Sequence, residues 1–436
     1  MSPELVGAVA VGVMLLLLFL GIPIAICLIL VGSVGFAIIV GYHQALNMVA
    51  LSASSTLSSY TFAVLPVFLI MGELGDISGM MNEAYDATNT WLGKIPGGLA
   101  MASVVGASLF SCVSGSSIAC AGVMTKVAIP NLLKHRYDPT LATGAVAAGG
   151  TLGNIVPPGV ILVIYAIMTE VSLGKFFVAC YLPGFLLTFM YMVQIYIQCK
   201  LNPSLGPATA SSTTWKEKLF AIRGIAPVVI VLIAFLGGIQ FGVFTPNEGA
   251  SVSTVFVFLY ALIRKTLNGQ NLLQAFKSTL VTTGMTLAIL IGADIFNVLM
   301  AVSGLAQALA VWVTGLHLSA LGVVILIMVI YFILGIPMDP LAMLVLTIPI
   351  FLPVLKAYHI DLYWFGVLAI LQVELANITP PVGMYLFVVA QMVKARGISM
   401  ETVFRGSYPF CVTCILCLVL LIAFPQISTF MVSLMK

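Results

Sequence analysis

The chain alternates long apolar segments with short polar ones, and most apolar segments match the length of a membrane-spanning helix, about twenty residues. Phe176 to Gln198 is an uninterrupted example. The first segment, Leu5 to Val40, is longer, and its Gly21-Ile22-Pro23 sequence predicts one membrane helix with a kink. Glu73 to Thr90 is polar and precedes Trp91, which predicts an amphipathic arm at the membrane interface. The pattern therefore predicts an all-α polytopic membrane protein.

Two of the apolar segments contain a pair of adjacent prolines, at Asn154-Ile155-Val156-Pro157-Pro158-Gly159 and at Asn377-Ile378-Thr379-Pro380-Pro381-Val382-Gly383. Proline lacks a backbone N–H and pushes the residue before it away from helical geometry, so we expect a broken helix at both places. These are called the first break and the second break. A break frees backbone amides and carbonyls at membrane depth, where exposure to lipid costs several kcal/mol per group. Both breaks are therefore predicted to face protein, water or a bound ligand.

Two further interruptions predict helical hairpins that turn back inside the membrane. Ser111-Cys112-Val113-Ser114-Gly115-Ser116-Ser117, the first tip, combines glycine with clustered serines. Serine side chains compete with helix formation by bonding to the local backbone. Gly335-Ile336-Pro337-Met338-Asp339-Pro340, the second tip, has the equivalent position in the second half of the chain. Each tip is predicted to face the break of its own half.

The second half of the chain repeats the first, and the polar linker 200–223 divides them. Asn377 follows Asn154 by 223 positions, and nearly the same offset relates other pairs. These are Pro157 and Pro380, Pro158 and Pro381, Lys134 and Lys356, and Asp138 and Asp361. An odd number of predicted crossings separates the Lys134 loop from the Lys356 loop, which puts them on opposite sides of the membrane. The sequence thus predicts an inverted repeat with two re-entrant helical hairpins and two broken transmembrane helices, an architecture of secondary transporters.

Composition narrows the class of protein further. The chain is 61% hydrophobic and 7% charged, against roughly 25% charged residues in soluble domains. An outer-membrane barrel would show short alternating segments instead. The basic loops fall mainly on one predicted side, which the positive-inside rule assigns to the cytoplasm. The net charge of +3 is small and spread over loops, so it indicates no nucleic-acid partner.

The tips and breaks together predict sodium and substrate sites. Unwound backbone with Ser, Thr and Asn side chains supplies oxygens for a partly dehydrated sodium ion, and half-helix N-termini favour an anionic substrate. The predicted residues of the first half are Ser114, Gly115, Ser116, Ser117, Thr151, Gly153, Asn154 and Pro157. Those of the second half are Gly335, Pro337, Met338, Asp339, Asn377, Thr379, Pro380 and Gly383. The alternative is that Pro and Gly simply kink membrane helices.

Three acidic residues lie within apolar segments, where an ionisable group is expensive and commonly functional. Asp339 is the best acidic candidate, since the first tip offers only serines. The alternative for Asp339 is a helix cap before Pro340. Glu374 lies one helical turn before Asn377 and is expected to orient the second break, whereas Asp294 is expected to serve helix packing or a polar interface.

Other chemistry has little support. Cys411, Cys414 and Cys417 have part of an iron–sulfur spacing, but they lie in an apolar helix without a fourth ligand and are expected to pack as small apolar residues. The histidines have no zinc-ligand spacing. An intramembrane protease is the enzymatic alternative, yet no histidine or second aspartate accompanies the buried serines or Asp339 at membrane depth. We expect no enzymatic activity and no cofactor beyond coupling ions.

Four motifs, in this order, resemble the large membrane subunit of tripartite ATP-independent periplasmic (TRAP) transporters. They are Phe110 to Ser117, Gly149 to Pro158 with Tyr165, Gly335 to Pro353, and Thr379 to Gly383 with Leu386 and Phe387. The resemblance implies an elevator-type ion-transporter fold in the bacterial inner membrane. It divides the chain into 1–96 (scaffold helices and interfacial arm), 97–175 (first transport-domain repeat), 176–318 (scaffold with a second arm), 319–396 (second transport-domain repeat) and 397–436 (C-terminal scaffold helix).

The resemblance also implies a function and partners. It predicts sodium-driven import of small organic anions, such as C4-dicarboxylates, sialic acids or other sugar acids. The implied partners are a small four-helix membrane subunit and a periplasmic substrate-binding protein. Since no Lys or Arg lies between Ser278 and Lys356, backbone amides and serines are expected to hold the substrate carboxylate, and the alternative is a larger contribution from the partner subunit. The alternative within transport is a sodium-coupled anion carrier that works without a binding protein.

Overall fold

The computed structural model describes residues 2–208, 214–336 and 338–435, and all regular elements within these ranges are helices. Seven helices are long and apolar enough to cross a membrane, and shorter apolar helices of 10–17 residues accompany them. The protein is therefore an all-α polytopic membrane protein, as the apolar pattern predicted.

The helices of the first half are α1 (Pro3–Phe19), α2 (Ile24–Ile39), α3 (Tyr42–Ser58), α4 (Val64–Ser78), α5 (Met80–Leu92), α6 (Gly98–Ser114), α7 (Ser117–Lys134), α8 (Pro139–Ile155), α9 (Val160–Thr169) and α10 (Leu173–Leu201). Those of the second half are α11 (Trp215–Leu232), α12 (Gly238–Gln240), α13 (Pro246–Ile263), α14 (Gly269–Ser303), α15 (Leu305–Gly315), α16 (Ala320–Gly335), α17 (Pro340–Ala357), α18 (Leu362–Asn377), α19 (Met384–Val393), α20 (Met400–Ala423) and α21 (Gln426–Ser433). A π-helical turn, Ile233–Gly237, joins α11 to α12.

Helix order and helix caps correspond between the halves. The side chain of Asp138 accepts a hydrogen bond from Thr140 N and caps α8, and Asp361 caps α18 through Trp364 N. A left-handed glycine separates two consecutive helices in each half: Gly79 ends α4 before the arm helix α5, and Gly304 ends α14 before the corresponding helix α15. Such caps satisfy amides or carbonyls that a helix end leaves unpaired. The same local signals therefore start and stop corresponding helices in both halves.

The first apolar segment is a correction to the sequence-based prediction. Leu5 to Val40 is not one kinked helix, because α1 ends at Phe19, α2 starts at Ile24, and the two pack side by side. Gly21 adopts a left-handed φ of 80°, and Ile22 N bonds back to Leu17 O, so the chain turns sharply there. The prediction treated glycine and proline as a kink, whereas together they end one helix and start another.

The contacts between helices fall into two main groups. In one group, α2 packs on α14, and α4 on α13, which joins helices of the two halves. In the other group, the hairpin α6–α7 packs on α8, α7 contacts α19, and α17 contacts α9. Helices α8 and α20 cross at glycines: a Cβ at Gly144 would lie 2.1 Å from Gly406 O, and a Cβ at Gly406 would lie 2.1 Å from Thr140 O. Only glycine permits backbones this close.

Candidate transport site

The first tip is a tight turn between α6 and α7. Helix α6 ends at Ser114, Gly115 follows with φ of 60°, and Ser116 caps α7 by accepting a hydrogen bond from Ala119 N at 3.4 Å. Glycine is required at position 115 for two reasons. Its φ is left-handed, and a Cβ there would lie 2.3 Å from Pro158 O. The turn thus occupies two residues within the predicted stretch from Ser111 to Ser117.

The first tip lies directly on the first break. Val160 N, the first amide of α9, donates to Gly115 O at 3.2 Å. On the other side of the break, a Cβ at Gly153 would lie 2.5 Å from Ser117 Cα. The backbone freed by Pro157 and Pro158 therefore faces the hairpin and not lipid, and the predicted pairing of the first tip with the first break is found in the structure.

The second tip is built differently. Asp339 caps α17, since its Oδ1 accepts hydrogen bonds from Leu341 N at 3.0 Å and Ala342 N at 3.1 Å. It has the position that Ser116 has in the first tip, one residue before the second hairpin helix. Gly335 packs against Ala376, beside Asn377, where a Cβ would lie 2.5 Å from the alanine methyl group. Met338 is buried, and Pro337 lies outside the described residues.

A single buried carboxylate joins the two halves. Glu374, on α18 before the second break, is fully buried. Its Oε1 accepts hydrogen bonds from Asn154 Nδ2 at 2.7 Å and from the Tyr385 hydroxyl at 3.2 Å. The Ser117 hydroxyl lies 3.3 Å from Oε1 and 3.2 Å from Oε2, within hydrogen-bond distance of both. The first tip, the first break and both helices of the second break thus meet at Glu374.

The Glu374 carboxyl group has no basic partner in the part of the chain that the structure describes. Neither of the two ion pairs found among the described residues includes it, and its three donors are neutral. A buried carboxylate without a cation costs several kcal/mol, even when its oxygens accept hydrogen bonds. Two of its donors, Ser117 and Asn154, were themselves predicted as sodium-site residues. The junction therefore offers carboxyl oxygens beside the oxygens of the first tip.

Glu374 lies at the centre of the candidate site, although the sequence predicted only that it would orient the second break. The usable signal was its position, since it is an acid inside an otherwise uncharged apolar segment, Leu362 to Leu386. Its counterpart in the first repeat, 223 positions earlier, is the neutral Thr151. The hydroxyl of Thr151 donates to Ala148 O at 2.7 Å and lies 3.3 Å from the Tyr191 hydroxyl, so it bonds within its own helix and to α10.

The second break has a different set of contacts. Asn377 donates to Val373 O at 2.8 Å and Thr379 to Leu375 O at 2.6 Å, so both side chains bond to the helix they end. The Cys411 thiol donates to Ile378 O at 3.2 Å. Gly383 follows Pro380 and Pro381 with φ of 21°. Asn154 and Asn377 match in sequence, but only Asn154 reaches across to the other half.

The donor types fit sodium better than a transition metal. Hydroxyls, carbonyls and amide oxygens dominate the tips and breaks, and no group of three His, Cys, Asp or Glu residues suited to a metal occurs in the part of the chain that the structure describes. All eight cysteines are free and buried. Cys411, Cys414 and Cys417 are therefore buried free thiols within α20, and Cys411 also donates to Ile378 O.

Comparison with known protein families shows to which family the chain belongs. Residues 11–427 match the family model described as "Tripartite ATP-independent periplasmic transporter, DctM component". The chain belongs to the DctM family of TRAP transporter large subunits. Members are large permease subunits of a secondary transporter in the bacterial inner membrane, and membership implies association with a small membrane subunit and a periplasmic binding protein.

Curated relatives differ in the substrate that their names state. The C4-dicarboxylate TRAP transporter large permease protein DctM of Pseudomonas aeruginosa is 31% identical, with 88% of this chain and 89% of that protein covered. The sialic acid TRAP transporter large permease protein SiaM of Vibrio cholerae is also 31% identical, with 94% and 95% covered. The ectoine TRAP transporter large permease protein TeaC of Halomonas elongata is 26% identical, with 97% and 98% covered.

Solved structures support the fold. The YdaH transporter of Alcanivorax borkumensis superposes with a TM-score of 0.65 at 16% identity, covering 88% of this chain and 89% of that one. MtrF of Neisseria gonorrhoeae gives a TM-score of 0.61 at 16% identity, with 88% and 84% covered. The helical architecture is therefore shared with other membrane transporters.

Proposed function

We propose that this subunit performs sodium-coupled import of small organic anions, of the C4-dicarboxylate, sialic acid or other sugar-acid class. The observation that carries the proposal is the junction at Glu374, where the first tip and both breaks meet. An ion bound between Ser117 and Asn154 would contact groups that also contact Glu374. Occupancy of the first site would therefore change the packing of the second break.

The first sodium site would use the oxygens of Ser114, Ser116 and Ser117, the carbonyls of the first tip, and Asn154. Sodium has a single charge, which an ionised Glu374 carboxylate nearby would compensate. The second site would use the second tip and the second break, with the Asp339 carboxylate, Met338 carbonyl and Thr379 hydroxyl as candidate oxygens. Asp339 already caps α17, and its second carboxylate oxygen has no partner in the hydrogen bonds found among the described residues.

The organic anion would bind between the two tips. Helices α7 and α17 begin at the tips, and α9 and α19 begin after the breaks, so all four have their N-terminal ends there. The helix dipole favours a carboxylate at such ends. This explains how an anion can be held although hairpin α16–α17 carries no cation before Lys356.

Transport would proceed by movement of one rigid group of helices, the moving body, against the remaining scaffold helices. We assign the two hairpins, the two broken helices, α10 and α20 to the moving body. Helix α20 crosses α8 at Gly144 and Gly406, and α10 packs on α6, α8 and α20. The division drawn from the sequence gives α10 and α20 to the scaffold. Two cavities line the boundary: one of about 620 Å³ between α3, α14 and α9, and one of about 510 Å³ between α4, α5 and α7.

Measuring whether uptake requires the periplasmic binding protein tests this proposal. The large and small subunits are reconstituted in liposomes, and uptake of a labelled organic anion is measured with and without the cognate binding protein. We expect uptake to depend on the binding protein. Sodium-driven uptake of the free anion at the same rate would instead support a carrier that works without one.

A further inference from the structure

A groove of about 940 Å³ lies where the arm helix α5 meets α11 and α13. Gly224 brings α11 onto the arm, since a Cβ there would lie 2.7 Å from the Glu83 carbonyl oxygen. The groove is lined by no residue of the tips or breaks, and the transport proposal does not use it. Its charged lining residues are Glu83, Asp86, Lys216, Glu217, Arg223 and Arg264.

Two of the three acids in the groove are already engaged. Glu83 forms an ion pair with Arg264 and accepts a hydrogen bond from the Tyr260 hydroxyl at 2.7 Å. Glu217 forms a capping box with Thr214, whose backbone N donates to Glu217 Oε2 at 2.8 Å. These contacts fix both carboxylates at the walls of the groove.

Two cations in the groove have no carboxylate partner. Within residues 2–208, 214–336 and 338–435, no ion pair involves Lys216 or Arg223. The Arg223 guanidinium instead lies over the Phe220 ring, 4.8 Å from its centroid. Asp86 is the remaining acid of the lining. The lining therefore carries three acidic and three basic side chains, and Lys216 and Arg223 are its two cations that no carboxylate holds in the described residues.

Aromatic residues place the groove at the membrane–water interface. Trp91 and Trp215 form an edge-to-face pair with centroids 6.4 Å apart, and the Lys218 ammonium lies 5.5 and 5.6 Å from the two rings. Trp215 is 75% exposed and Phe220 67% exposed. Tryptophan beside basic residues is typical of the headgroup region, and the positive-inside rule assigns this side to the cytoplasm.

We propose that the groove binds the phosphate of an anionic phospholipid from the cytoplasmic leaflet. Lys216 and Arg223 contact the phosphate, and the acyl chains lie along the exposed faces of Trp215 and Phe220. Basic residues at this depth attract anionic headgroups, and an arginine fork matches phosphate geometry. The bound lipid would fill the space between the arm α5 and helix α11, and would hold the arm in place.

Tryptophan quenching by brominated lipids tests this site. The purified protein in detergent is titrated with brominated phosphatidylglycerol, brominated phosphatidylcholine or inorganic phosphate. We expect stronger quenching at lower concentration with phosphatidylglycerol. The double variant Lys216→Gln/Arg223→Gln should weaken its apparent affinity by about tenfold or more. Lys394→Gln/Arg396→Gln is the matched control, since it removes an exposed Lys and Arg from the same predicted side.

Three outcomes would overturn the proposal. They are equal quenching by the two lipids, an unchanged affinity in the Lys216/Arg223 double variant, and an equal loss in the control. Displacement of phosphatidylglycerol by millimolar inorganic phosphate would assign the groove to free phosphate and not to a lipid. Thermal unfolding without added lipid checks folding, and both double variants should match the parent protein, because all four side chains are exposed.

Discussion

The side-chain amide of Asn154 donates a 2.7 Å hydrogen bond to the carboxylate of Glu374, 220 residues further along the chain. The bond connects the break of the first half to the helix that precedes the break of the second half. Ser117 and Tyr385 contact the same carboxylate. A change at any of these four side chains is therefore expected to affect both halves of the transport site.

Replacing Glu374 with Gln tests this junction. The amide has nearly the same shape, but its NH₂ group cannot accept a hydrogen bond. A donor at the junction then loses its acceptor, and a buried donor without a partner costs about 1–3 kcal/mol. We expect Glu374→Gln to insert normally and to lower sodium-driven uptake at least about tenfold. Tyr385→Phe removes one donor and should have a smaller effect.

The sodium concentration for half-maximal uptake distinguishes a role in ion binding from a general loss of structure. It should rise in Glu374→Gln, whereas lower expression would reduce only the maximal rate. An unchanged uptake rate and unchanged sodium dependence in Glu374→Gln would show that the junction is not needed for coupling.

Gly115→Ala tests the contact between the first tip and the first break. The new methyl group would require φ of 60° in an L residue and would lie 2.3 Å from Pro158 O, so the tip must move away from the break. We expect uptake to fall strongly. Gly122→Ala in α7 is the control: no atom lies within 4 Å of its added Cβ, and its uptake should equal that of the parent.

The two roles of Asp339 can be separated by a substitution series. Ser at this position would keep a capping oxygen, as Ser116 does in the first tip, but would remove the charge. We expect Asp339→Ser to keep its thermal stability but to lose sodium-driven uptake. Asp339→Ala should also lose uptake, and its free energy of unfolding should fall by about 0.5–2 kcal/mol because the cap is gone. Full uptake by Asp339→Ser would limit the residue to capping.

Cross-linking tests the proposed moving body. Asp76 on α4 and Lys126 on α7 line the same cavity at the boundary, so a flexible cross-link between cysteines at these positions should stop uptake. The control pair joins Ser172 and Tyr363, which lie within the proposed body, where the Ser172 amide donates to the Tyr363 hydroxyl at 3.3 Å. That cross-link should leave uptake intact. All native cysteines are buried, which favours reaction at the introduced ones.

Much of the fold could be predicted from local signals. Proline pairs, glycine with serine, and Asp before proline mark helix ends regardless of what surrounds them. The first tip, the first break and α10 were therefore located correctly. The turn at Gly21 was misread, because a kink and a tight turn between two helices use the same residues, and only packing of α1 on α2 distinguishes them.

The centre of the site could not be predicted in the same way. Glu374 acquires its importance from Ser117 and Asn154, which are distant in sequence, and no spacing rule connects them. Asp339 drew attention because it lies at a tip, although its observed contacts are those of a helix cap. The orientation of the repeats relative to the membrane remains a prediction from loop charges.

Accumulation of an organic anion against its gradient is the most direct test of the account. Proteoliposomes containing both membrane subunits receive the loaded binding protein outside, and an inward sodium gradient is the only driving force. We predict that labelled anion accumulates inside and leaves again when the sodium gradient is collapsed. Uptake that is the same with potassium in place of sodium would contradict sodium coupling.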